Sequence, residues 1–317
     1  MREDLAPERS PDKQYRSSGE LACGEESDGP AASTRKRWRW SIGIYTGDSP
    51  LCLSPPPEIR NPVLTYKDVS DVHAVFVADP FMVVEEGTWY MFFEVMNGET
   101  GKGEIGLAVS DDGLRWEYRQ IVLKEPFHLS YPYVFRWKGD YYMIPETLAL
   151  NCIQLYRAVT VPTEWSRVRT LIDGQCADSS VFRFDSKWWM LTCTTPHEHD
   201  TLRLYQAAEL MGPWREHPKS PIVEGNKRIA RPGGRVTLWD GRLFRMTQDC
   251  YPGYGSQVRA VEIVDLTPTT YSEEEAAASQ VLFTASDGWN CAGMHHVDPR
   301  LTPQGKWIAC VDGFSML

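Results

Sequence analysis

A strand, turn, strand segment recurs along this chain at intervals of about 50 residues, and a period of that size restricts the fold to a solenoid, an array or a propeller. Residues Asp79 to Glu94 and Tyr131 to Glu146 share one order: an apolar run, a polar turn containing glycine, then an aromatic run ending in glutamate. Asp178 to Cys193 is a third copy, and Arg231 to Asp249 and His296 to Asp312 are looser fourth and fifth copies. Each reads as a β-hairpin. The first four are followed by a further strand (Glu104 to Trp116, Ile153 to Trp165, Leu202 to Trp214, Val258 to Tyr271) and a short closing strand. The closers are Ile121 to Leu123, Thr170 to Ile172, Pro221 to Val223 and Gln280 to Phe283. Four strands in about 50 residues is the content of a propeller blade. The fifth copy has no such second half after it, but Trp40 to Gly47 and Asn61 to Thr65 at the other end of the chain supply one. The expected fold is therefore all-β: a five-bladed β-propeller over residues 38–317, its last blade completed by the N-terminal strands, which leaves no open sheet edge.

Residues 1–37 are poor in apolar side chains and rich in Ser, Gly, Pro, Glu and Arg, and are expected to be disordered. They contain no apolar stretch of the kind a secretory signal needs, and the basic cluster Arg35 to Arg39 reads as a solvated charge run. Elsewhere no apolar run approaches the ~20 residues of a membrane-spanning helix, so the chain reads as soluble, with its compartment left open. With 43 acidic against 33 basic side chains, a net charge of −10, it would repel a phosphate backbone, which argues against nucleic-acid binding. The eight cysteines form no CxxC pair, so neither a zinc ribbon nor a thioredoxin-type site is expected, and most read as buried thiols. The 12 Trp, 14 Tyr and 11 Phe suit both strands and sugar-stacking surfaces.

In a propeller the innermost strand of each blade lines the central channel. The corresponding positions hold Asp79, Tyr131, Asp178, Arg231 and the pair His295-His296, a polar ring that is costly to bury unless it is paired or used. Glu94 and Glu146 share the end of the second strand in blades one and two. Two or more carboxyls around a groove rimmed with aromatics meet the needs of glycoside hydrolysis, in which one acid protonates the leaving oxygen and one base activates water. The alternative for any one of them is a turn cap or an ion-pair partner. The loop from Gln248 to Gln257, with Asp249 and Tyr254, and the segment Gly288-Trp289-Asn290 read as sugar-binding loops at the channel mouth, or as ordinary glycine-rich turns. The hairpin aromatics Trp89, Tyr90, Tyr141, Tyr142, Trp188 and Trp189 read as blade core. Thr195 to Asp200 carries metal-ligand residue types but reads as a solvated turn.

Ala78-Asp79-Pro80, Ala177 to Phe182 and Gly293 to Val297 resemble glycoside hydrolase family 43. That resemblance implies a five-bladed propeller of inverting enzymes, with Asp79 as general base and Asp178 as the carboxylate that tunes and orients the acid. It also implies a structural divalent cation such as Ca2+ in the channel, on His295 by the better match, with His296 as the alternative. The blade-four segment where the family carries its acid reads Ile229-Ala230-Arg231-Pro232-Gly233-Gly234, without Glu. Arginine stays protonated and cannot do that work. Either another carboxyl serves, with Glu146 first and Glu94 or Asp249 behind it, or hydrolysis has been lost.

A longer resemblance runs from Trp40 to Gly313. Phe76 to Phe81, Glu125 to Tyr133 (with His128), Ala230 to Arg235 and Gly288 to Pro299 (with Asp298) are similar to the N-terminal region of the plant glucosamine inositolphosphorylceramide transferases. In those proteins the resemblance places the transferase activity in a later domain, so it is not carried onto these residues. The expected function is hydrolysis of a glycan or glycoconjugate by Asp79, Asp178 and Glu146, with Glu94, His128, Tyr131, Arg231, Asp249, Tyr254, Trp289, His296 and Asp298 contacting the substrate. The alternative is a glycan-binding propeller in which Arg231 grips an acidic or phosphorylated sugar. A protein-interaction scaffold is the third reading. The expected partner is a carbohydrate or a glycolipid headgroup, and the expected state a monomer.

Overall fold

The computed structural model describes residues 38–280, 282 and 287–316. The segment read as disordered, most of the basic cluster, and Val281 and Phe283 of the expected closing strand of blade four lie outside the described residues. The chain runs through β1 (Trp38–Ser49) and β2 (Cys52–Ser54) into blade one, formed by β3 (Ala74–Glu85), β4 (Thr88–Asn97), β5 (Lys102–Ser110) and β6 (Glu117–Leu123). Blade two is β7 (Ser130–Trp137), β8 (Asp140–Glu146), β9 (Cys152–Thr160) and β10 (Glu164–Asp173). Blade three is β11 (Ala177–Phe184), β12 (Lys187–Cys193), β13 (Leu202–Ala207) and β14 (Arg215–Glu216). Blade four has an interrupted inner strand, β15 (Arg231–Pro232) and β16 (Thr237–Trp239), then β17 (Arg242–Asp249), β18 (Gln257–Leu266) and β19 (Tyr271–Gln280). Last come β20 (Val297–Leu301) and β21 (Trp307–Met316), and the order β20-β21-β1-β2 closes blade five with both ends of the chain. The protein is a five-bladed β-propeller, and no helix among the described residues is long and apolar enough to cross a membrane.

The hairpins follow from their turns. Glu86-Gly87, Lys138-Gly139, Asp185-Ser186 and Asp240-Gly241 each join two strands with two residues at positive φ, the backbone twist that lets adjacent strands pair without splaying. Outside the turns the strands bury their apolar faces between blades. Tyr141, Tyr142, Trp188 and Trp189 are buried, and Trp89 and Tyr90 pack partly buried against the core, as their hairpin positions predict.

Three closing strands differ from expectation. In blade three β14 is outermost, and Pro221 to Val223 contributes a single bridge from Val223 to Leu202, because Pro221 has no N–H for a ladder. In blade four the outer strand already starts at Tyr271. In blade five it is Cys52–Ser54, stopped by Pro55, Pro56 and Pro57, while Leu64 merely bridges Ile42.

Candidate functional site

The first three inner strands share a local defect that aims the site. Each bulges, between Ala78 and Phe81, Ser130 and Tyr133, and Ala177 and Ser180, and the residue after the first of each pair has a left-handed backbone: Asp79 at φ 53, Tyr131 at φ 45 and Asp178 at φ 52. Such φ values are uncommon for residues other than glycine and cluster at functional sites. Across the hairpins Ala78 faces Glu94, Ser130 faces Glu146 and Arg231 faces Gln248. Strand β21 supplies Asp312 to the same neighbourhood, where it accepts hydrogen bonds from the N–H groups of Asp79, His295 and His296.

Five carboxyls meet here, none more than 6% exposed: Asp79, Glu94, Glu146, Asp178 and Asp312. Set against them are the Arg231 guanidinium and the His295 ring. Arg231 donates from Nε to Asp178 at 2.5 Å and from Nη1 to the Pro196 carbonyl at 3.0 Å. Its Nη1 also lies 2.9 Å from His199 Nδ1, its Nη2 reaches Glu146 at 3.5 Å, and its guanidinium lies over the Tyr254 ring. Gln248 adds a 2.6 Å bond to Asp178. His295 is held by Asp312 through Nδ1 at 2.8 Å, turns Nε2 toward Asp79 at 3.6 Å, and stacks on Trp40. Tyr254 meets His295 edge-on and packs beside His199.

This arrangement sets the charge states. Burial, with Asp178 and Asp312 adding to it and His295 opposing, pushes the Asp79 carboxyl up to about 7. Glu94 is raised well above its ordinary value by burial and then by Asp79 and Glu146. Glu146 is raised by burial and by Asp178, against the pull of Arg231. For Asp312 burial works the other way, but His295 holds the carboxyl below the usual range. His295 is raised despite its burial, by Asp312 foremost and then Asp79. Burial and then Arg231 push His199 down to about 4, so at neutral pH it is an uncharged acceptor for the guanidinium.

The expected residues Asp79, Glu94, Glu146, Asp178, Arg231, Tyr254 and His295 thus come together. His128 stands behind Glu94, with Nε2 3.4 Å from Glu94 Oε1 and Nδ1 accepting the Gly103 N–H. The others are placed as follows. Asp249 takes hydrogen bonds from Arg228, Arg259, Gln257 and the Tyr251 N–H, which outweigh its burial and hold it ionised as the clamp of its own loop; it is no reserve acid. Asp298 accepts from Arg235 and the Met82 N–H, fastening blades four and one to blade five. The Tyr131 hydroxyl is hydrogen-bonded to Ser180 and to the Gly234 backbone, bracing blade two against blades three and four. Trp289 packs over Gly43 and Gly313 of blade five, where their missing side chains leave room for the indole. His296 is fully buried between Phe81 and Tyr131, with neither ring nitrogen hydrogen-bonded and its pKa down at about 4 through burial. Arg231, for its part, already meets a partner from each of Nε, Nη1 and Nη2.

Four contributors escape the sequence reading. Asp312 closes the fifth hairpin as Glu94 and Glu146 close the first two, and that recurrence was its available signal. Gln248 holds the same place in blade four. His199, in the turn read as solvated, and Trp40, read as an ordinary strand residue, reveal themselves only through the packing of one blade on the next.

The donor set does not suit the expected Ca2+. Asp79, His295 and Asp312 lie close enough to face one ion. Ca2+ wants six to eight oxygens, yet both Asp312 oxygens already accept N–H bonds, which leaves Asp79 and one imidazole nitrogen. His296, the alternative, has Phe81 and Tyr131 edge-on to its ring and neither ring nitrogen in hydrogen-bond reach of a carboxylate.

Residues 33–314 match the family model described as glucosamine inositolphosphorylceramide transferase 1, N-terminal. The chain belongs to this family. Among glucosamine inositolphosphorylceramide transferase 1 proteins, that of Oryza sativa subsp. japonica is 36% identical over 301 residues, covering 86% of this chain, and that of Arabidopsis thaliana is 34% identical over 318 residues, covering 94%. The chain spans 40% of the length of either relative. Among solved structures, the family 117 glycoside hydrolase Zg3597 of Zobellia galactanivorans superposes with a TM-score of 0.52 at 12% identity, over 75% of this chain and 84% of that one. An exo-1,5-α-L-arabinanase from a bovine ruminal metagenomic library does so with 0.54 at 13% identity, over 77% and 95%. The propeller of this glucosamine inositolphosphorylceramide transferase N-terminal family is thus one that glycoside hydrolases also use.

Proposed function

We propose that the channel mouth is carbohydrate-active and cleaves a glycosidic bond, with Asp79 activating water and Glu146 protonating the leaving oxygen. The observation that carries this reading is the Glu146, Asp178, Arg231 cluster. Asp178 accepts the Arg231 and Gln248 hydrogen bonds, while Glu146, beside it and more weakly held at 3.5 Å, keeps its proton. Two carboxyls in contact whose surroundings push their roles apart form an acid with its tuner. Asp79, pushed up to about 7, is suited to take a proton from water near neutrality.

The surplus of carboxyls disfavours anionic sugars and favours neutral or amino sugars. The relatives' name joins glucosamine to inositolphosphorylceramide, and the proposed substrate class is accordingly a glycan or glycolipid headgroup presenting such a sugar. A second reading, glycan binding without turnover, is favoured by Arg231, which engages both Asp178 and Glu146 and is tied to the loop carrying His199.

Product release from a panel of neutral, amino and acidic aryl glycosides and oligosaccharides separates the two. Turnover that is lost in Asp79→Asn and Glu146→Gln supports cleavage. Binding by calorimetry without product in any case would leave only the second reading.

A further inference from the structure

Glu94 is buried with an acceptor left unfilled. It lies near the end of the second strand of blade one, opposite Ala78 and so beside the bulge that carries Asp79, and the carboxyls that bear on its charge come from four blades: Asp79, Glu146, Asp178 and Asp312. The residue is only 5% exposed, yet its Oε1 accepts no hydrogen bond. His128 stands on one side of it. Because Nδ1 of that ring accepts the Gly103 N–H at 2.9 Å, the ring proton sits on Nε2, which lies 3.4 Å from Oε1 without forming a bond to it. Burial pushes the His128 pKa down to about 4, so the ring brings no positive charge at neutral pH. On another side is Gly103, where a Cβ would stand 2.8 Å from Oε1.

The other carboxyls of the mouth are better supplied. Asp178 accepts from Arg231 and Gln248, Asp312 accepts backbone N–H groups, and Glu146 has the Arg231 guanidinium at 3.5 Å. Glu94 holds in blade one the place of Glu146 in blade two, but among the described residues no arginine or lysine pairs with it. An unfilled acceptor on a buried carboxyl is expensive to keep, and beside the channel it points to a donor that arrives with the ligand. The terminal torsion of a glutamate is soft, so the carboxyl can turn either oxygen toward that donor.

The charge around Glu94 narrows the donor. Five carboxyls are set against one guanidinium and the His295 ring, so a hydroxyl would fill the acceptor without correcting the excess of acid. An ammonium group does both, through the stronger, charge-assisted bond. An acetylated nitrogen brings one N–H, no charge, and a carbonyl oxygen that the carboxyls would repel.

We propose that Glu94, with the His128 ring behind it, is the residue that selects the ligand by receiving the ammonium group of an unacetylated amino sugar. The inference rests on the reading of the mouth as a glycan site and not on cleavage.

The test is calorimetric titration of the full chain at pH 6.5 with methyl glucosaminide, methyl glucoside and methyl N-acetylglucosaminide, which differ only in an ammonium, a hydroxyl or an acetamido group. The ammonium sugar is expected to bind at least about 10-fold more tightly than either of the others, the scale of a hydrogen bond to a charged group. In folded Glu94→Gln that preference is expected to vanish while the hydroxyl sugar keeps its affinity, a split that lost packing alone would not give. Should Glu94→Gln not fold, Glu94→Asp, which withdraws the charge by one methylene, carries the test, and its preference is expected to shrink in the same way. A preference that survives unchanged in the folded variant overturns the inference, as does a wild type that ranks the three sugars equally, even where cleavage is found. Preference lost in the variant without cleavage of any glycoside sustains it and rejects the hydrolase reading. Binding of none of the three overturns it together with the glycan reading.

Discussion

The backbone N–H of Asp79 donates to Oδ2 of Asp312 at 3.0 Å, joining the bulge of the first complete blade to the last strand of the chain. One residue thereby serves ring closure and site geometry together. Asp312→Ala would leave four N–H groups, one of them on the His295 ring, without their acceptor. The expected loss is about 3–5 kcal/mol, the range for breaking one side of a buried ion pair. Urea denaturation at pH 7 measures it, and a loss below about 1 kcal/mol would mean the seam does not depend on this carboxylate.

Asp79 should impose a cost on the fold that grows with pH. Its folded pKa, about 7, lies above the ordinary 3.8, so the folded state holds a proton that the unfolded chain has released. Stability from this group is complete below about pH 4 and declines up to about pH 7. Asp79→Asn removes that decline, so the variant should gain stability relative to the wild type between these pH values. Thermal melts at pH 4.5 and 7.5 check the sign, and a difference that shrinks as pH rises would contradict the placement of the proton.

Removing Arg231 should cost most at alkaline pH. Arg231→Met leaves Asp178 and Glu146 in one buried site without their guanidinium, and about 3–5 kcal/mol should be lost near pH 8. Near pH 4.5, where lower pH favours the neutral form of the buried Glu146 that the guanidinium no longer balances, the loss should be smaller. Paired urea titrations at the two pH values decide it, and an equal loss at both would reduce Arg231 to a packing element.

Gly234 is a steric keystone of the contact between blades four and five. Its φ is 145, and a Cβ there would stand 1.8 Å from the Val297 carbonyl oxygen, in a backbone that cannot retreat because Val297 donates to the neighbouring Gly233 carbonyl. Gly234→Ala is expected to lose more than about 3 kcal/mol. Gly241→Ala, a turn glycine with open space around it, should lose only about 1 kcal/mol, the strain of a positive φ. Comparable losses in the two would refute the steric argument.

The ring, its five blades and the closure by both chain ends were legible because a propeller repeats its hydrophobic pattern and its turns, as Glu86-Gly87 and Lys138-Gly139 illustrate. Outer strands were read less well. Their pairing is short and decided by local breakers such as Pro221 and the run Pro55 to Pro57, not by periodicity. At the site, the acids that recur at two blade positions, Asp79 with Asp178 and Glu94 with Glu146, were visible in the repeat. The fate of Asp249 was missed although Arg259 and Gln257 engage it across its own hairpin, and that of Asp298 was not visible, since Arg235 reaches it from blade four, a proximity that exists only in the folded ring. His199 and Trp40 escaped for the same reason.

The central claim is that Asp79 and Glu146 cleave a glycosidic bond, and the most direct measurement is a 1H NMR time course of sugar release by the wild type and by Asp79→Asn from whichever panel glycoside turns over. The wild type is expected to release product with inverted anomeric configuration, and the folded variant to do so at a rate at least about 100-fold lower, the scale on which a general base acts. Release at the same rate by Asp79→Asn would contradict it.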